Sequence, residues 1–343
     1  MNKVLVIGSA EQSGGGVSSV IKLMKKMPIW KKFHCYWLGT QIQRNYAWKL
    51  LYAIRAYLIA LFIIWRYDII HFHTVPNISM IVQLPIFFLS VLGRKKIIIH
   101  IHMGNQLKHH HWDKLFRWHL RHSDLIILLA KKWQCLFQEE YADIKTPTTV
   151  LYNACEITSE ISYSDKEKII IMAAFFNENK APDLLLKAWN EIRNDYKDWR
   201  IYMLGNGEIE KYKKMADDMG LADSVIFTGY MTGNEKEYFF NKASIYCMCS
   251  YEEGFPMVVL EAWAHEVCVI STPVGGLPDV IEEGKNMLTF DFGDWKGLAR
   301  QLKVLMDNTE KMNIMGKYSR KFVANYFSLE KINNDIEKIY ATC

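Results

Sequence analysis

Two glutamates, Glu253 and Glu261, lie eight residues apart around the start of a predicted helix. The segment that holds them reads SYEEGFPMVVLEAWA over residues 250–264, and it follows an apolar, strand-like run at 245–249. Pro256 favours the first helical turn, because the N–H that proline lacks would be unpaired there. The order of strand, polar loop and helix predicts that both carboxylates lie at the carboxyl end of a sheet, where open α/β sheets bind ligands.

The N-terminus of this predicted helix is suited to an anion. The amides of Met257, Val258 and Val259 belong to the first turn, where backbone N–H groups have no carbonyl partner within the helix. The helix dipole adds a partial positive charge at the same end. A diphosphate is therefore the ligand group that this helix start favours.

The spacing of the two carboxylates suits an elongated ligand. If the span is mostly helical, their backbones lie on the order of 12 Å apart at 1.5 Å per residue. One carboxylate can then accept hydrogen bonds from sugar hydroxyls and the other from ribose hydroxyls, on opposite sides of a diphosphate. The alternative makes Glu253 a partner of the helix dipole and Glu261 a solvated surface acid. The loop glycine Gly254, Pro256 and both acids together favour a site for a nucleotide-diphosphate sugar.

Apolar runs of strand length alternate with amphipathic segments of helix length along the whole chain, which predicts βα units on mostly parallel sheets. The strands are predicted at 3–8, 33–38, 69–73, 96–102, 125–130, 149–151, 169–174, 200–205, 225–228, 245–249, 267–271 and 286–290. A chain of 343 residues suits two domains. We therefore predict two doubly wound α/β domains, residues 1–158 and 167–325, joined near the polar stretch 157–166.

Charge is distributed unevenly between the two halves. Residues 1–150 contain 20 Lys and Arg against 7 Asp and Glu, a formal charge of +13, whereas residues 151–343 contain 22 against 30, a charge of −8. Such a basic half indicates an anionic partner, for which phospholipid headgroups, a lipid diphosphate and nucleic acid are candidates. The alternative is that each half carries charge for solubility. The sequence has no ordered basic and aromatic surface motif, which argues against nucleic acid.

Two apolar segments resemble membrane spans. Residues 56–65 are uncharged but only about half the ~20 residues that a crossing helix needs. Residues 75–93 are long enough, but Pro76 and Pro85 interrupt them. We interpret both as helices packed on the sheet, and the basic residues beside them also favour a peripheral contact with an anionic membrane.

Cysteine and histidine provide no metal framework. The seven cysteines have no CxxC spacing, so reduced thiols in the cytosol are expected. Three consecutive histidines, His109, His110 and His111, cannot all converge on one ion, and His71, His73 and His100 are interpreted as structural. The N-terminus enters a strand directly, which is not typical of a signal peptide.

The motifs, in their order, make the sequence similar to the retaining GT-B glycosyltransferases of family 4. Glu253 and Glu261 fit the EX7E signature of that family. The match extends over nearly the whole chain and includes the GGGV loop at 14–17, the DIIHFH run at 68–73, His102, Asp124, the VLYN run at 150–153, Asn179 and Lys180, the LGNG turn at 204–207 and the VGGLPD run at 274–279.

The resemblance implies a GT-B fold, with two Rossmann-like domains facing a central cleft and a C-terminal helix, residues 326–343, that returns to the first domain. It implies catalytic roles for Glu253, which would bind hydroxyls of the donor sugar, and for His102 beside that sugar. The donor-binding residues that it implies are Gly15, Gly16, Lys180, Asn206, Met231, Gly254, Phe255, Pro256, Met257, Val258 and Glu261.

The same resemblance implies a hexose-type sugar, with UDP the most frequent nucleotide, and a lipid-linked saccharide acceptor in bacterial surface polysaccharide synthesis. It implies retention of configuration, no cofactor and no metal, and a location in the cytoplasm or at the inner face of the cytoplasmic membrane. One departure stands out, because Phe175 occupies the place of an arginine that grips the diphosphate in this family. The alternative is therefore a catalytically impaired, glycosyltransferase-like scaffold. A nicotinamide dehydrogenase is disfavoured, because the first turn, GSAEQS, lacks GxGxxG.

Overall fold

The computed structural model describes residues 2–42, 46–108, 112–157 and 166–343. The three histidines at 109–111 and most of the predicted linker, residues 158–165, lie outside the described residues. Contacts divide the chain into two units. The first comprises Met1–Ala154 with Leu329–Cys343, and the second comprises Cys155–Ser328.

Twelve strands and thirteen α-helices occur in the described part of the chain. The strands are β1 (Val4–Ser9), β2 (Tyr36–Gln41), β3 (Ile69–Thr74), β4 (Lys96–Ile101), β5 (Leu125–Leu128), β6 (Thr148–Val150), β7 (Glu167–Phe176), β8 (Arg200–Gly207), β9 (Val225–Gly229), β10 (Ala243–Met248), β11 (Cys268–Ser271) and β12 (Met287–Thr289). The helices are α1 (Gly16–Lys26), α2 (Pro28–Lys32), α3 (Tyr46–Ile63), α4 (Ile78–Leu92), α5 (Asp113–Arg121), α6 (Lys131–Glu140), α7 (Pro182–Ile192), α8 (Ile209–Asp218), α9 (Gly233–Lys242), α10 (Met257–Ala264), α11 (Trp295–Met306), α12 (Thr309–Phe327) and α13 (Leu329–Thr342).

Each unit contains one parallel sheet of six strands, in the order β2-β1-β3-β4-β5-β6 and β12-β11-β10-β7-β8-β9. In the first sheet the order in which successive strands are added reverses between β1 and β3, and in the second sheet it reverses between β7 and β10. Ligands of doubly wound sheets bind at these points, outside the carboxyl ends of the strands. The two α/β sheets confirm the fold class that the alternating pattern predicts.

The second strand begins later than predicted. Residues 33–35 were assigned to it, but Phe33 ends α2 and its N–H donates to Ile29 O at 2.9 Å. His34 then adopts a left-handed φ of 45°, and the N–H of Cys35 donates back to Trp30 O. Residues 33–35 continue the apolar pattern of the strand, so the pattern alone predicts a strand where the chain forms a turn.

The C-terminal helix α13 belongs to the first unit. Its Asn333 Oδ1 accepts a hydrogen bond from the N–H of Ile29 at 2.9 Å, and Asn2 Nδ2 donates to Tyr340 O. Tyr340 is fully buried, with its ring edge against Phe33. The helix thus completes the core of a unit whose other elements come from the opposite end of the sequence.

The first apolar segment is predicted to be too short to cross a membrane, and this prediction of its length is wrong. The segment Ala47–Arg66 is 20 residues long and is apolar enough, by length and composition, to span a membrane. Helix α3 nevertheless packs in the first unit through a stripe of buried alanines, Ala53, Ala56 and Ala60, and Tyr57 Oη donates to Val82 O of α4 at 2.7 Å. Its other face is exposed.

Candidate active site

The loops after β7 and β10 meet at the switch point of the second sheet. β7 and β10 are adjacent parallel strands, and their loops hold residues 177–181 and 249–256. Asn179 joins the loops with three hydrogen bonds. Its Nδ2 donates to Glu252 O at 3.1 Å, its Oδ1 accepts from the N–H of Glu252 at 3.1 Å, and its backbone O accepts from the N–H of Tyr251 at 2.7 Å. These bonds fix the residues that follow in both loops.

Lys180 and Glu253 are brought into contact by this join. The Lys180 ammonium donates to Glu253 Oε1, which also accepts from Ser250 Oγ at 2.8 Å. The side chains of Lys180 and Glu253 are 22% and 14% exposed, so the pair is accessible at one side. One edge of the carboxylate is thus held by the protein, and the lysine beside it is a cation that an anionic ligand can pair with.

The loop after β11, which holds Gly275 and Gly276, packs against the backbone of Glu253 and Gly254. Gly275 has a φ of +64°, and a Cβ at this position would lie 2.7 Å from both Glu253 O and Gly254 O. The N–H of Gly276 donates to Gly254 O at 2.8 Å. The VGGLPD run therefore passes close to the backbone of Glu253 and Gly254, and only glycine at 275 has both the small size and the backbone conformation that this approach needs.

Helix α10 begins one residue later than predicted. Pro256 precedes it with a ψ of 113°, so Met257 is the first helical residue. The prediction that Val259 offers a free amide is wrong, because its N–H donates to Pro256 O at 3.3 Å. Met257 and Val258 remain as the first two amides of the helix. Phe255 is buried, and its ring packs against Phe327 at 5.6 Å between centroids, so only its backbone can face a ligand.

Glu261 lies within α10 and forms an ion pair that the sequence does not reveal. Its Oε2 is 2.5 Å from Lys236 Nζ of α9, and both side chains are about 30% exposed. His265 Nδ1 lies 2.7 Å from Glu261 O, and its Nε2 lies 2.8 Å from Glu237 Oε2. Lys236 thus balances the charge of Glu261 through Oε2, and the second carboxylate oxygen can still accept a hydrogen bond.

Phe175 and Asn206 lie side by side at the ends of β7 and β8. They are paired in register, and both side chains are exposed, that of Phe175 to 58%. The following Gly207 has a φ of +106°, and a Cβ there would clash with Phe176 O at 2.3 Å. Met231 is half-buried in the loop after the edge strand β9. The aromatic ring at 175 therefore faces solvent at the ligand-binding edge of the sheet, without the charge of an arginine.

In the first unit, the glycine loop connects β1 to α1. Gly15 caps α1 with a φ of 109°, a conformation that L side chains rarely adopt. Gly16 is the first helical residue, and a Cβ on it would meet no atom within 4 Å. The backbone conformation therefore requires glycine at 15. At 16 a side chain would fit, and the open space there leaves room for a ligand.

His102 follows β4 and is buried in a cluster with three other histidines. Its Nε2 lies 2.9 Å from His73 Nδ1, and its N–H donates to Thr74 O at 3.0 Å. Burial lowers the pKa of His102 to about 3. Burial, followed by the charge of neighbouring histidines, also lowers the pKa of His71 to about 3 and places those of His73 and His100 well below the usual range. The four rings are therefore neutral near pH 7.

The structure thus brings Lys180, Glu253 and the start of α10 together in the second unit, and it places His102, Gly15 and Gly16 in the first. Ser250 and Lys236 are contacts that the sequence reasoning missed. Ser250 is the first residue of the segment 250–264 and lies three residues before Glu253, so its position in the sequence could have suggested the contact. Lys236 is 25 residues from Glu261, and no motif in the sequence around it indicates that the two residues pair.

A family described as Glycosyl transferases group 1 matches residues 156–322 of the chain. Among curated proteins, the N-acetyl-alpha-D-glucosaminyl L-malate synthase of Bacillus anthracis is 30% identical over 186 residues, 54% of this chain and 48% of that protein. A Campylobacter jejuni protein named GalNAc-alpha-(1->4)-GalNAc-alpha-(1->3)-diNAcBac-PP-undecaprenol alpha-1,4-N-acetyl-D-galactosaminyltransferase is 27% identical over 165 residues, 46% of this chain and 45% of that protein. The chain spans about half the length of the curated relatives that it matches.

Among solved structures, the complex of Anabaena Alr3699/HepE with UDP-glucose aligns over 100% of both chains, with a TM-score of 0.78 and 17% identity. At this identity the likeness concerns the fold alone. Together with the two six-stranded sheets, it confirms the predicted GT-B fold.

Proposed function

We propose that this chain, whose residues 156–322 match the family described as Glycosyl transferases group 1, transfers a hexose-type sugar from a nucleotide-diphosphate donor to a saccharide acceptor. The observation that carries the proposal is the contact of Lys180 and Ser250 with Glu253 at the switch point of the second sheet. A carboxylate suits the vicinal hydroxyls of a sugar, and a cation with the start of a helix suits a diphosphate.

Each residue then has a stated task. Glu253 accepts hydrogen bonds from the donor sugar, and Lys180 turns from Glu253 towards the diphosphate when the donor binds. The amides of Met257 and Val258 bind the same diphosphate, and Glu261 binds the ribose. Stabilising the charge of the departing phosphate lowers the barrier to cleavage of the sugar–phosphate bond.

The proposal includes retention of configuration at the anomeric carbon. The departing phosphate would accept the proton of the acceptor hydroxyl, so that attack occurs on the face from which the nucleotide leaves. Lys180 and the helix amides would stabilise the negative charge of the phosphate groups, without a metal ion or a cofactor. We propose that His102 acts as a neutral imidazole, since burial lowers its pKa to about 3.

UDP is the proposed nucleotide, and a lipid-linked saccharide is the proposed acceptor. The name of the Alr3699/HepE complex with UDP-glucose supports the former, and the undecaprenol diphosphate in the name of the Campylobacter jejuni relative supports the latter. The charge of +13 over residues 1–150 suits an acceptor that carries a diphosphate at a membrane surface. Synthesis of a bacterial surface polysaccharide at the cytoplasmic face of the membrane is the setting that we propose.

A catalytically impaired scaffold is the second candidate, and the exposed Phe175 favours it. A neutral ring replaces a cation at the diphosphate site, and one charged hydrogen bond to phosphate contributes about 1.5–3 kcal/mol. A panel of nucleotide sugars separates the two candidates, with thermal stability and donor hydrolysis as readouts. The proposed enzyme is stabilised by one donor and hydrolyses it slowly, whereas a scaffold is unaffected by every donor in the panel.

The exposed face of α3 is the proposed membrane contact. Large apolar side chains recur at helical spacing on this face, and Phe62 is 77% exposed. The series is Leu51, Ile54, Leu58, Leu61 and Phe62, and the exposed Trp65 follows in the short 3-10 helix Ile64–Arg66. Lys49, Arg55 and Arg66 lie in or beside the same helix. Apolar side chains that enter the headgroup layer, together with basic residues that face anionic lipid, are typical of a peripheral membrane helix.

We expect the full-length protein to bind anionic vesicles and to release them in about 1 M NaCl, where the Debye length falls to about 3 Å. The double change Leu58→Asn and Phe62→Asn is expected to weaken vesicle binding at least about tenfold, because each buried CH₂ contributes about 0.8 kcal/mol. Sedimentation with vesicles measures the effect. Ile314→Asn is the control, since Ile314 is 63% exposed on α12 of the second unit. Equal binding to neutral vesicles would contradict the electrostatic part of the proposal.

A further inference from the structure

Four histidines project from one face of the first sheet. His71 and His73 alternate along β3, and His100 and His102 alternate along and just after β4, so all four share a face. His73 pairs with His100 in the register of the two strands. All four side chains are buried, and three of them are at most 1% exposed. Such a density of neutral ring nitrogens is not required by packing, for which apolar side chains would suffice.

The nitrogen atoms of the cluster fall into two groups. His71 Nδ1 lies 2.7 Å from Tyr340 Oη, and His73 Nδ1 lies 2.9 Å from His102 Nε2. The Nε2 atoms of His71 and His73 and both nitrogens of His100 are buried and have no hydrogen-bond partner among the residues that the structure describes. Buried polar atoms are nearly always paired, so an unpaired group of this size requires an explanation.

The three rings can converge on one ion. His71, His73 and His100 each offer a ring nitrogen, and these atoms lie within 4.8 Å of one another. Tetrahedral zinc with Zn–N bonds of about 2.0–2.1 Å separates two ligand nitrogens by about 3.3–3.5 Å. Ring rotations that move each nitrogen by about 1 Å therefore bring the set into range. We propose that His71, His73 and His100 bind a divalent transition-metal ion, for which Zn²⁺ is the best match.

The surroundings of the three rings support this assignment. Metal-binding histidines usually make a hydrogen bond through the ring nitrogen that does not bind the ion, and this bond fixes the orientation of the ring. Tyr340 Oη does this for His71, and His102 does it for His73. Three imidazoles without carboxylate or thiolate suit zinc, copper or nickel and do not suit magnesium or calcium.

The ion would have a structural task. It would link β3 to β4 and, through Tyr340, link both strands to α13, the last helix of the chain. None of its three ligands is among the residues proposed to bind the nucleotide diphosphate. His102, which has a proposed role in the transfer reaction, contacts the site through its hydrogen bond to His73. Failure of the metal proposal would therefore leave the proposed donor site at Glu253 and Lys180 unaffected.

The test is calorimetric titration of the full-length, chelator-treated protein with ZnCl₂. His109, His110 and His111 are first replaced by asparagine, because consecutive histidines could bind zinc separately. In this background we expect about one equivalent of zinc, bound with a Kd below about 1 µM. His100→Phe should weaken zinc binding at least about 100-fold. His119→Phe is the matched control, since His119 is buried in the same unit outside the cluster, and zinc affinity should not change.

X-ray absorption of the zinc-loaded protein supplies a second readout that needs no variant of the cluster. Three imidazole nitrogens at about 2.0 Å are expected around the ion. Fewer than two imidazoles would overturn the proposal, even if His100→Phe fails to fold. Loss of all binding in the background that lacks His109–His111 would also overturn it, as would unchanged zinc affinity in a folded His100→Phe protein.

Discussion

Glu253→Gln is expected to lower kcat/KM for sugar transfer at least about 100-fold, a loss typical of removing one group that stabilises the transition state. The amide keeps the shape of the side chain and the hydrogen bond from Ser250 Oγ, which lies 2.8 Å from Oε1. It removes the charge that the donor hydroxyls and Lys180 require. Initial rates with the donor selected from the nucleotide-sugar panel measure the effect, and thermal unfolding shows whether the fold is retained.

Glu178→Gln is the control for this change. Glu178 precedes Asn179 in the loop after β7, and its side chain is 90% exposed, with Lys211 at 3.6 Å. Removing its charge alters the same region without touching the contact at Glu253, so the rate of transfer should stay within about twofold. Full turnover by a folded Glu253→Gln protein would remove Glu253 from the mechanism.

Lys180→Met is expected to raise the KM for the donor about 10- to 100-fold and to lower kcat as well. A charged hydrogen bond to phosphate contributes about 1.5–3 kcal/mol, and each 1.4 kcal/mol is a factor of ten. The lysine also faces the carboxylate of Glu253, so methionine leaves a partly buried charge without its cation. Donor titration by steady-state kinetics and by calorimetry measures both effects.

Lys187→Met provides the comparison for Lys180. Lys187 lies on α7, the helix that follows the loop of Lys180, and it pairs at 2.7 Å with Asp183, four residues earlier on the same helix. Partly exposed i,i+4 pairs contribute little to stability, and this pair lies outside the loop contact at Glu253, so the variant should retain its donor affinity. If Lys180→Met and Lys187→Met bind the donor equally well, the diphosphate is bound elsewhere.

Much of the fold follows from the sequence, because the apolar runs of parallel strands are long and sharply bounded. All twelve predicted strands have counterparts, and the largest error at the start of a strand occurs in β2, where a local turn interrupts the pattern. His34 is an example, since its left-handed φ of 45° leaves no mark in the order of apolar residues. The extent of α3 was also underestimated, because Lys49 and Arg55 interrupt its apolar run without interrupting the helix.

The candidate site was predicted less completely than the fold. The order of strand, loop and helix placed Glu253 at the carboxyl end of β10. Its contact with Lys180 depends on the adjacency of β7 and β10 and on the hydrogen bonds of Asn179 that join their loops. The pairing of Glu261 with Lys236 could not be predicted, because it depends on how α9 packs beside α10. The histidine cluster was interpreted as structural, since alternation on a strand indicates a shared face and does not reveal unpaired nitrogens.

The location of a bound donor tests the central claim most directly. Crystals of the protein should be soaked with the nucleotide sugar that gives the largest thermal stabilisation, and the ligand located by difference density. We predict a diphosphate within hydrogen-bond distance of Lys180 Nζ and of the amides of Met257 and Val258, with sugar hydroxyls on Glu253. A nucleotide sugar that occupies another part of the second unit, with Lys180 still bound to Glu253, would contradict the account.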